Sequence, residues 1–421
     1  FSAGHAWRQF STHNAHTSLV RISKEKLESL FPLGVTAGRS PLRIVDCRTS
    51  SEFLQDHIPG SINIPVLSDQ QRCQIGKQFQ VSKIQARING AAQICLNVGN
   101  ELLNEGSVTR SLIEEICHSK GGVGLIFYCS RGGKRSQSLG QLFAALGFAS
   151  WVGVLEEGYK TWRSFILHRL DHWPTSREHL GALPFVTVSG LTGSGKSLIL
   201  NLLAKKSLRN LSVLDLERIA DHKGSMLGAP IDRQSVMNQK KFDSLLHEEL
   251  IRFLASTDAQ RTVWTECESR WVGPVCQMNA ALWNRLRGLH GSPLPQRIFI
   301  HVPLEARVDY ILKDYSYFVE QSSTPFFLDL LEKFKKFHPD SLVEQWKSMA
   351  LRGDATLVIE LLRKHYDVNY SHSRKQLLSQ SEENNKLQHL NLSSVDELTI
   401  ERELMPRLLE INEQVNHAWF Q

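Results

Sequence analysis

The chain has 421 residues, of which 41% are hydrophobic and 22% are charged, a composition typical of folded proteins with two or three domains. It contains no run of about 18 apolar residues, so we predict no membrane insertion. The formal net charge of +6 suits a polyanionic partner, but it is equally common in proteins that bind no nucleic acid.

The first 24 residues contain no Asp or Glu and are rich in Ser, Thr and His. This composition predicts a leader, either the remnant of an organellar transit peptide or a disordered segment. The first interpretation places the protein in a mitochondrion or chloroplast, and the second in the cytoplasm. The seven cysteines include no CxxC pair, which favours a reducing compartment over a secreted disulfide framework.

Strands that alternate with helices predict an α/β protein with parallel sheets covered by helices on both faces. The apolar runs LRIVD, VGLIFYC and SWVGVL are the predicted strands of a first domain at 25–172, which carries a helical insert at 66–120. A linker at 173–184 leads to a second α/β domain at 185–305. Residues 306–421 are predicted to be helical, apart from a polar connector around SQSEENNKLQHLNLSS.

The stretch FYCSRGGKRS places Cys129 at the carboxyl end of a strand, before a loop with Gly132 and Gly133 and then a helix. Backbone amides of such a loop and the helix N-terminus favour negative charge. The cations Arg131, Lys134 and Arg135 strengthen the effect. The pattern therefore predicts a reactive thiolate, suited to sulfur, selenium or phosphate chemistry.

A second loop, GLTGSGKS, fits the phosphate-binding pattern G-x-x-x-x-G-K-[ST] between a strand and a helix. Lys196 is expected to contact the terminal phosphates and Ser197 to ligate magnesium. The predicted diphosphate-binding residues are Gly190, Gly193, Gly195, Lys196 and Ser197.

P-loops that bind ATP or GTP place a carboxylate at the end of a later strand. TVWTECESR supplies Glu266 and Glu268, and VLDLE supplies Asp215 and Glu217. Asp215, Glu266 and Glu268 are the candidate magnesium ligands, or else ordinary polar strand ends. The chain has no N-K-x-D motif, which argues against a GTPase.

IVDCRTSSEFLQDHIPGSINIP resembles the signature of rhodanese domains, and LEEGYKTW resembles their closing strand and turn. The resemblance implies a rhodanese-like fold, with Asp46 and Glu52 as scaffold residues. Five residues separate Cys129 from Arg135, one more than in simple rhodaneses, so the loop is also similar to that of the cell-cycle phosphatases of this fold. Such phosphatases need a carboxylic acid to protonate the leaving group, and none lies within or just after the loop.

A rhodanese-like domain followed by a P-loop domain, here P-loop NTPase-like with a helical C-terminal region, resembles the tRNA 2-selenouridine synthase family. The matching segments are CSRGGKRS, LEEGYK, GLTGSGKS, LDLERIADHKGSMLG, ECESRWVG, VPLEARVDYILKDY and LLRKHYDVNY. The resemblance implies a transferase that acts on tRNA with 2-thiouridine at the wobble position. It also implies that geranyl diphosphate alkylates the sulfur and that selenium from selenophosphate then displaces the S-geranyl group.

Carried over to this chain, the resemblance implies that Cys129 acts in the selenium step. The residues expected to bind selenophosphate are Arg131, Gly132, Gly133, Lys134 and Arg135. The motif positions without a firm chemical role are Asp215, His222, Gly224, Ser225, Glu268, Ser269 and Arg270. The cations expected to contact tRNA are Arg270, Arg307, Lys333, Lys335 and Lys336, of which the three lysines are equally well explained as a solvated helix face.

Three other interpretations stay open from the sequence. One is a rhodanese-type sulfurtransferase fused to an ATP-dependent P-loop module, and another is a cysteine-loop phosphatase fused to such a module. The third is a non-catalytic nucleotide-binding regulator, against which the intact cysteine loop and the intact P-loop both argue.

Overall fold

The computed structural model describes residues 19–30, 42–119, 122–172, 183–222, 237–255, 261–266, 269–289, 294–314, 324–370 and 386–420. Most of the predicted leader and linker, together with Gly224, Ser225 and Glu268, lies outside these residues. The chain forms two compact units. The first comprises Phe1–Leu170 and Val236–Ala255, and the second comprises Asp171–Ser235 and Ser256–Gln421.

The first unit is built on a five-stranded parallel sheet in the order β1-β5-β4-β2-β3. Its strands are β1 Val20–Ile22, β2 Leu42–Asp46, β3 Ile62–Asn63, β4 Gly124–Tyr128 and β5 Trp151–Leu155. Every residue of β4 and β5 is buried, as the continuous apolar runs predict for strands covered on both faces. The helices are α1 Lys24–Leu30, α2 Ser50–Gln55, α3 Asp69–Val81, α4 Lys83–Leu103, α5 Val108–His118, α6 Lys134–Leu146, α7 Tyr159–His172 and α10 Gln239–Ala255.

Helix α10 packs in this first unit, although it follows four elements of the second unit in sequence, namely β6, α8, β7 and α9. The Arg163 guanidinium donates to the Asp243 carboxylate at 2.7 Å, and Ser244 Oγ donates to Asp56 Oδ2 at 2.8 Å. His247 is buried edge-on against the Trp162 ring, and burial lowers the pKa of His247 to about 3. Because the prediction drew domain boundaries along the sequence, it assigned this helix to 185–305.

The second unit is built on a parallel sheet in the order β12-β11-β6-β8-β7. Its strands are β6 Phe185–Gly190, β7 Leu211–Leu214, β8 Thr262–Glu266, β11 Gln296–His301 and β12 Leu387–Asn391, and a separate antiparallel pair is formed by β9 Trp271–Val272 and β10 Cys276–Gln277. The helices that flank these strands are α8 Lys196–Lys205, α9 Leu216–Ala220, α11 Ala280–Arg287, α12 Leu304–Asp314, α16 Glu397–Glu403 and α17 Met405–Phe420. Two parallel-sheet units confirm the predicted fold class.

Strand β12 corrects the prediction of a polar connector. It pairs with β11 in parallel, with Phe299 opposite His389. The segment LQHLN lacks an apolar run because β12 is an edge strand, with His389 and Asn391 exposed. The core continues past it, since Leu408 and Ile411 of α17 are fully buried against the sheet.

A helical region lies between β11 and β12 after α12. It comprises α13 Pro325–Glu332, a 3₁₀ turn Lys333–Lys336, α14 Asp340–Leu351, α15 Thr356–Leu361 and a π-helical turn Leu362–Tyr366. Phe334 and Trp346 are buried at its centre and pack edge-to-face. Within the described part of the chain, every helix is too short or too polar to cross a bilayer.

Candidate active sites

Cys129 lies directly after β4, with its side chain buried at the mouth of the loop that leads into α6. The amide of Gly133 donates to Cys129 Sγ at 3.1 Å, and Ser136 Oγ donates to the same atom at 3.3 Å. Two donors aimed at one sulfur stabilise a thiolate. The loop therefore has a geometry suited to a nucleophile, and the role of Cys129 stays a prediction.

The turn after β5 closes over the backbone of this loop. Tyr159 N donates to the carbonyl of Cys129 at 2.8 Å, and Lys160 N donates to that of Ser130 at 3.3 Å. Gly158 has φ +58°, and a Cβ atom there would collide with the Cys129 carbonyl. The LEEGYK motif thus fixes the backbone that presents the sulfur.

Glu52 organises the charges beside the cysteine. The N-terminus of α2 is a capping box in which Glu52 and Thr49 bond reciprocally. The Glu52 carboxylate accepts from Arg135 at 2.7 Å and from Ser130 Oγ at 2.6 Å. Burial opposes the ionisation of Glu52, but these hydrogen bonds and the Arg135 charge outweigh it and lower the pKa to about 2.

The cations expected to bind selenophosphate occupy two different environments. Arg135 is half-buried and held by Glu52 and Ser130, while Arg131 and Lys134 are exposed. Gly132 adopts φ +61°, and a Cβ atom there would lie 2.8 Å from Glu157 N. Gly133 has open space in front of it, which leaves its side of the loop accessible to an anion.

The buried scaffold beneath the loop is an ion pair. Arg48 donates twice to Asp46, with Nη2 2.7 Å from Oδ2, and to the carbonyl of Asp56 at 2.6 Å. The Arg48 guanidinium also lies over the rings of Tyr128 and Tyr159. Asp46 is thus occupied in holding the sheet, consistent with the predicted scaffold role.

The P-loop connects β6 to α8 in the second unit. Gly193 and Gly195 have φ of +82° and +76°, values that strongly favour glycine. Lys196 Nζ donates to the carbonyls of Gly190 and Leu191, at 3.0 and 3.3 Å. The loop has the strand-to-helix geometry that lets backbone amides surround a diphosphate.

The carboxylate that contacts Ser197 is not one of the three predicted magnesium ligands. Ser197 Oγ donates to Glu217 Oε2 at 2.7 Å. Asp215 instead caps α9 and accepts from Arg218 N at 2.9 Å, while Glu266 is buried at the end of β8, opposite Val188 of β6. A hydroxyl and a carboxylate are oxygen donors that suit Mg²⁺, so Ser197 and Glu217 are the pair that fits this ion.

Arg307 of α12 and the late motif LLRKHYDVNY together support the P-loop. Arg307 donates to the carbonyl of Thr192 at 3.1 Å and to both carboxylate oxygens of Asp367, at 2.9 and 2.8 Å. Tyr370 Oη accepts from Gly190 N at 2.7 Å. The sequence alone gave no role for Asp367 or Tyr370, because their partners are far apart in the chain.

Two of the cations predicted to contact tRNA are engaged elsewhere. Arg307 is buried in the contacts just described, so the prediction that it binds tRNA is wrong. Lys335 pairs with Glu332 at 2.6 Å and with Glu344 at 3.1 Å. Lys333 and Lys336 are exposed, and Arg270 donates to the carbonyl of Met278 at 3.1 Å.

His222, which follows α9, packs tightly against Gly273. A Cβ atom at Gly273 would lie 2.6 Å from the His222 ring, and Gly273 has φ +69°. Burial lowers the pKa of His222, so the imidazole is neutral at physiological pH. This environment matches a packed loop histidine better than a proton shuttle.

An open cleft of about 500 Å³ adjoins the P-loop at the carboxyl ends of β11 and β12. This volume is within the range of about 300–1,000 Å³ that small-molecule sites have. Its lining is formed by Leu191, Phe299, Ile300, His301, Val302, Pro303, Asn391, Leu392, Ser393 and Glu403. Leu191 belongs to the P-loop, so a ligand whose diphosphate occupies the loop can extend into a mainly apolar cleft.

The six cysteines in the described part of the chain are free. No cluster of three or more His, Cys, Asp or Glu side chains suited to a metal occurs among the described residues. Cys129 and the phosphate-binding loop remain the candidate sites of the two units.

Comparison with known proteins agrees with this division. The model of the rhodanese-like domain matches residues 35–165, and that of the tRNA 2-selenouridine synthase AAA domain matches residues 183–342. The fold and the two loops thus define a rhodanese-like domain joined to a P-loop AAA domain.

Curated relatives carry the same name throughout. A tRNA 2-selenouridine synthase of Bdellovibrio bacteriovorus is 28% identical over 71% of this chain and 69% of its own length. That of Nitrosomonas europaea is 30% identical over 65% of this chain and 63% of its own length. That of Pseudomonas syringae pv. syringae is 29% identical over 79% of this chain and 88% of its own length. The chain is thus similar to tRNA 2-selenouridine synthases in both domains, and this similarity supports an enzyme that modifies tRNA, which is a transferase.

Proposed function

We propose that the chain converts wobble 2-thiouridine of tRNA to 2-selenouridine through an S-geranyl intermediate, with geranyl diphosphate and selenophosphate as co-substrates. The observation that carries the proposal is the presence in one chain of a thiol held by two donors and a P-loop that opens into an apolar cleft. Each loop suits one of the two steps.

In the first step, the sulfur of 2-thiouridine forms a bond to the terminal carbon of the geranyl group as the carbon–oxygen bond to diphosphate breaks. The amides of the P-loop and Lys196 stabilise the charge on the departing diphosphate. Bound Mg²⁺ would neutralise part of that charge, and Ser197 and Glu217 are the residues that would hold it. The geranyl chain lies in the cleft beside Leu191 and Phe299.

In the second step, selenium from selenophosphate forms a bond to C2 of the base, the carbon–sulfur bond breaks, and geranyl thiol leaves. Water removes the phosphoryl group as phosphate. The loop after β4 holds the selenophosphate anion through its amides, with Arg131 and Lys134 at the exposed rim. Cys129 acts in this step from the base of the loop, where Gly133 N and Ser136 Oγ donate to its sulfur.

The environment of Glu52 argues against the phosphatase alternative. Glu52 is the carboxyl group that accepts hydrogen bonds from Ser130 and Arg135, and its pKa of about 2 keeps it ionised at neutral pH. A carboxylate in that state cannot protonate a leaving group. Release of phosphate from a generic aryl phosphate would nevertheless favour that alternative over ours.

Mass spectrometry of digested nucleosides tests the proposal. Thiolated tRNA incubated with the protein and both co-substrates should yield 2-selenouridine. Cys129→Ser should stop selenation while S-geranyl-2-thiouridine accumulates, whereas Lys196→Ala should abolish geranylation. Unchanged 2-thiouridine with the unmodified protein, or two variants that stop both steps alike, would contradict the proposal.

A further inference from the structure

The tip of the helical hairpin α3–α4 exposes an apolar surface. Phe79 is 43% exposed, Val81 is 91%, Ile84 is 74% and Ile88 is 57%. Large apolar side chains grouped on a solvent-exposed surface mark an interaction site. We call this surface the hairpin tip.

The hairpin tip is also basic. The chain has no Asp or Glu from Gln70 to Asn100. Lys77, Lys83 and Arg87 are exposed there, and the described residues give them no ion pair. On α4, Lys83 and Arg87 are four residues apart, as are Ile84 and Ile88, so a cationic stripe runs beside an apolar one.

The hairpin is a packed element, since its inner face is fixed to the rest of the unit. Helix α4 buries a stripe of small and aliphatic residues at a spacing of four, namely Ala86, Gly90, Ile94 and Val98. A Cβ atom at Gly90 would lie 3.6 Å from Ile75 of α3, so the two helices approach closely. Asn97 Nδ2 donates to the carbonyl of Val66 at 3.0 Å.

We propose that the hairpin tip is the surface that docks the tRNA substrate, an inference that rests on the proposed function. Unpaired cations on an acid-free element complement a phosphate backbone, and an exposed Phe79 ring offers a stacking face for an unpaired base. The cations that the sequence favoured suit this role less well, because Arg307 is buried and Lys335 is paired.

Fluorescence anisotropy with a thiolated tRNA at several salt concentrations tests the inference. The triple variant Lys77→Ala, Lys83→Ala, Arg87→Ala should raise Kd about tenfold and reduce the slope of log K against log salt by about 2 to 3. Phe79→Ala should weaken binding about fivefold or more with an unchanged slope, because it removes stacking but no charge.

A triple variant with the same loss of charge on the second unit, Lys333→Ala, Lys336→Ala, Arg352→Ala, is the matched control. It should keep the slope of the unmodified protein. If the control variant raised Kd or reduced the salt slope more than the hairpin variant does, the inference would be overturned. It would also be overturned by Phe79-dependent binding to phosphatidylserine–phosphatidylcholine vesicles, or by a hairpin variant that dissociates an oligomer in sedimentation velocity.

The nucleoside assay separates the two proposals. If the protein makes 2-selenouridine and the hairpin variants bind tRNA normally, the inference fails and the proposed function stands. If the unmodified protein has no affinity for thiolated tRNA, both fail together.

Discussion

Glu52 connects the start of α2 to the cysteine loop, and its charge has a measurable consequence. It accepts hydrogen bonds from Thr49, Ser130 and Arg135 and also pairs with Arg72 at 3.1 Å. Removal of the carboxylate would leave the half-buried Arg135 guanidinium without its partner. The position of this cation therefore depends on Glu52 and on Ser130, which itself donates to Glu52.

We expect Glu52→Gln to lower the free energy of unfolding by about 2 kcal/mol at pH 7, the usual size for a charge-assisted hydrogen bond. A carboxyl group whose pKa is depressed in the folded state stabilises above its unfolded pKa and loses that contribution as pH falls towards its folded pKa. The difference in the free energy of unfolding between the unmodified protein and Glu52→Gln should thus shrink as the pH falls from 4.5 to about 2. Urea denaturation at a series of pH values measures it.

Glu115→Gln is the control for this prediction, because Glu115 forms an ion pair with Arg43 that is largely exposed. Exposed pairs contribute about 0–1 kcal/mol, so this variant should differ little from the unmodified protein. An equal effect of the two substitutions would show that Glu52 has no special role in stability.

The key residues of both loops were predictable from sequence, whereas their partners were less so. Cys129, Lys196 and Ser197 follow from spacings that the loop geometry itself imposes. Glu217 did not stand out from Asp215, because both lie at the start of a five-residue helix and only the three-dimensional course of α9 selects one. Tyr370 has no local signal, since its hydrogen bond to Gly190 spans most of the second unit's sequence.

At the scale of elements, α10 shows where sequence order and packing differ. Its periodicity predicts a helix, but the surface it covers is formed by α7 and by Asp56, which precede it by many residues. The alternation of strands and helices was sufficient to predict the inner strands of both sheets, whereas β1, an edge strand, lies within the predicted leader. The edge strand β12 was missed because exposure on one side removed its apolar pattern.

Asp243→Ala should destabilise the first unit by about 3 kcal/mol, because it leaves the nearly buried Arg163 without its carboxylate. Arg252→Ala, on the same helix, should cost less than about 1 kcal/mol, since its pairs with Glu248 and Glu249 are at the surface. Chemical denaturation of both variants measures the contrast. If both substitutions lowered the free energy of unfolding by a similar small amount, the Arg163–Asp243 ion pair of α10 would contribute little to the stability of the first unit.

At the scale of the whole molecule, the product of the first proposed step, S-geranyl tRNA, is the substrate of the second step. This intermediate is not attached covalently to the protein. We therefore expect a mixture of the Cys129→Ser and Lys196→Ala variants to form 2-selenouridine, although neither variant does so alone. Nucleoside analysis of the mixture over time measures the product.

The order of addition provides the control for this mixing experiment. S-geranyl tRNA made by Cys129→Ser and then purified should be converted by Lys196→Ala without geranyl diphosphate. If the purified intermediate is converted but the mixture forms no product, the intermediate does not leave the first molecule.

The positions of α10 and α17 also constrain how the chain folds as it is made. Domains usually fold as they emerge during synthesis, at about 5–20 residues per second. Here the first unit lacks α10 until residue 255 has been added, after the P-loop has already emerged. The second sheet lacks β12 and the buried side chains of α17 until residue 411 has been added. The surface that α10 covers on the first unit and the apolar core of the second unit thus remain incomplete until late in translation.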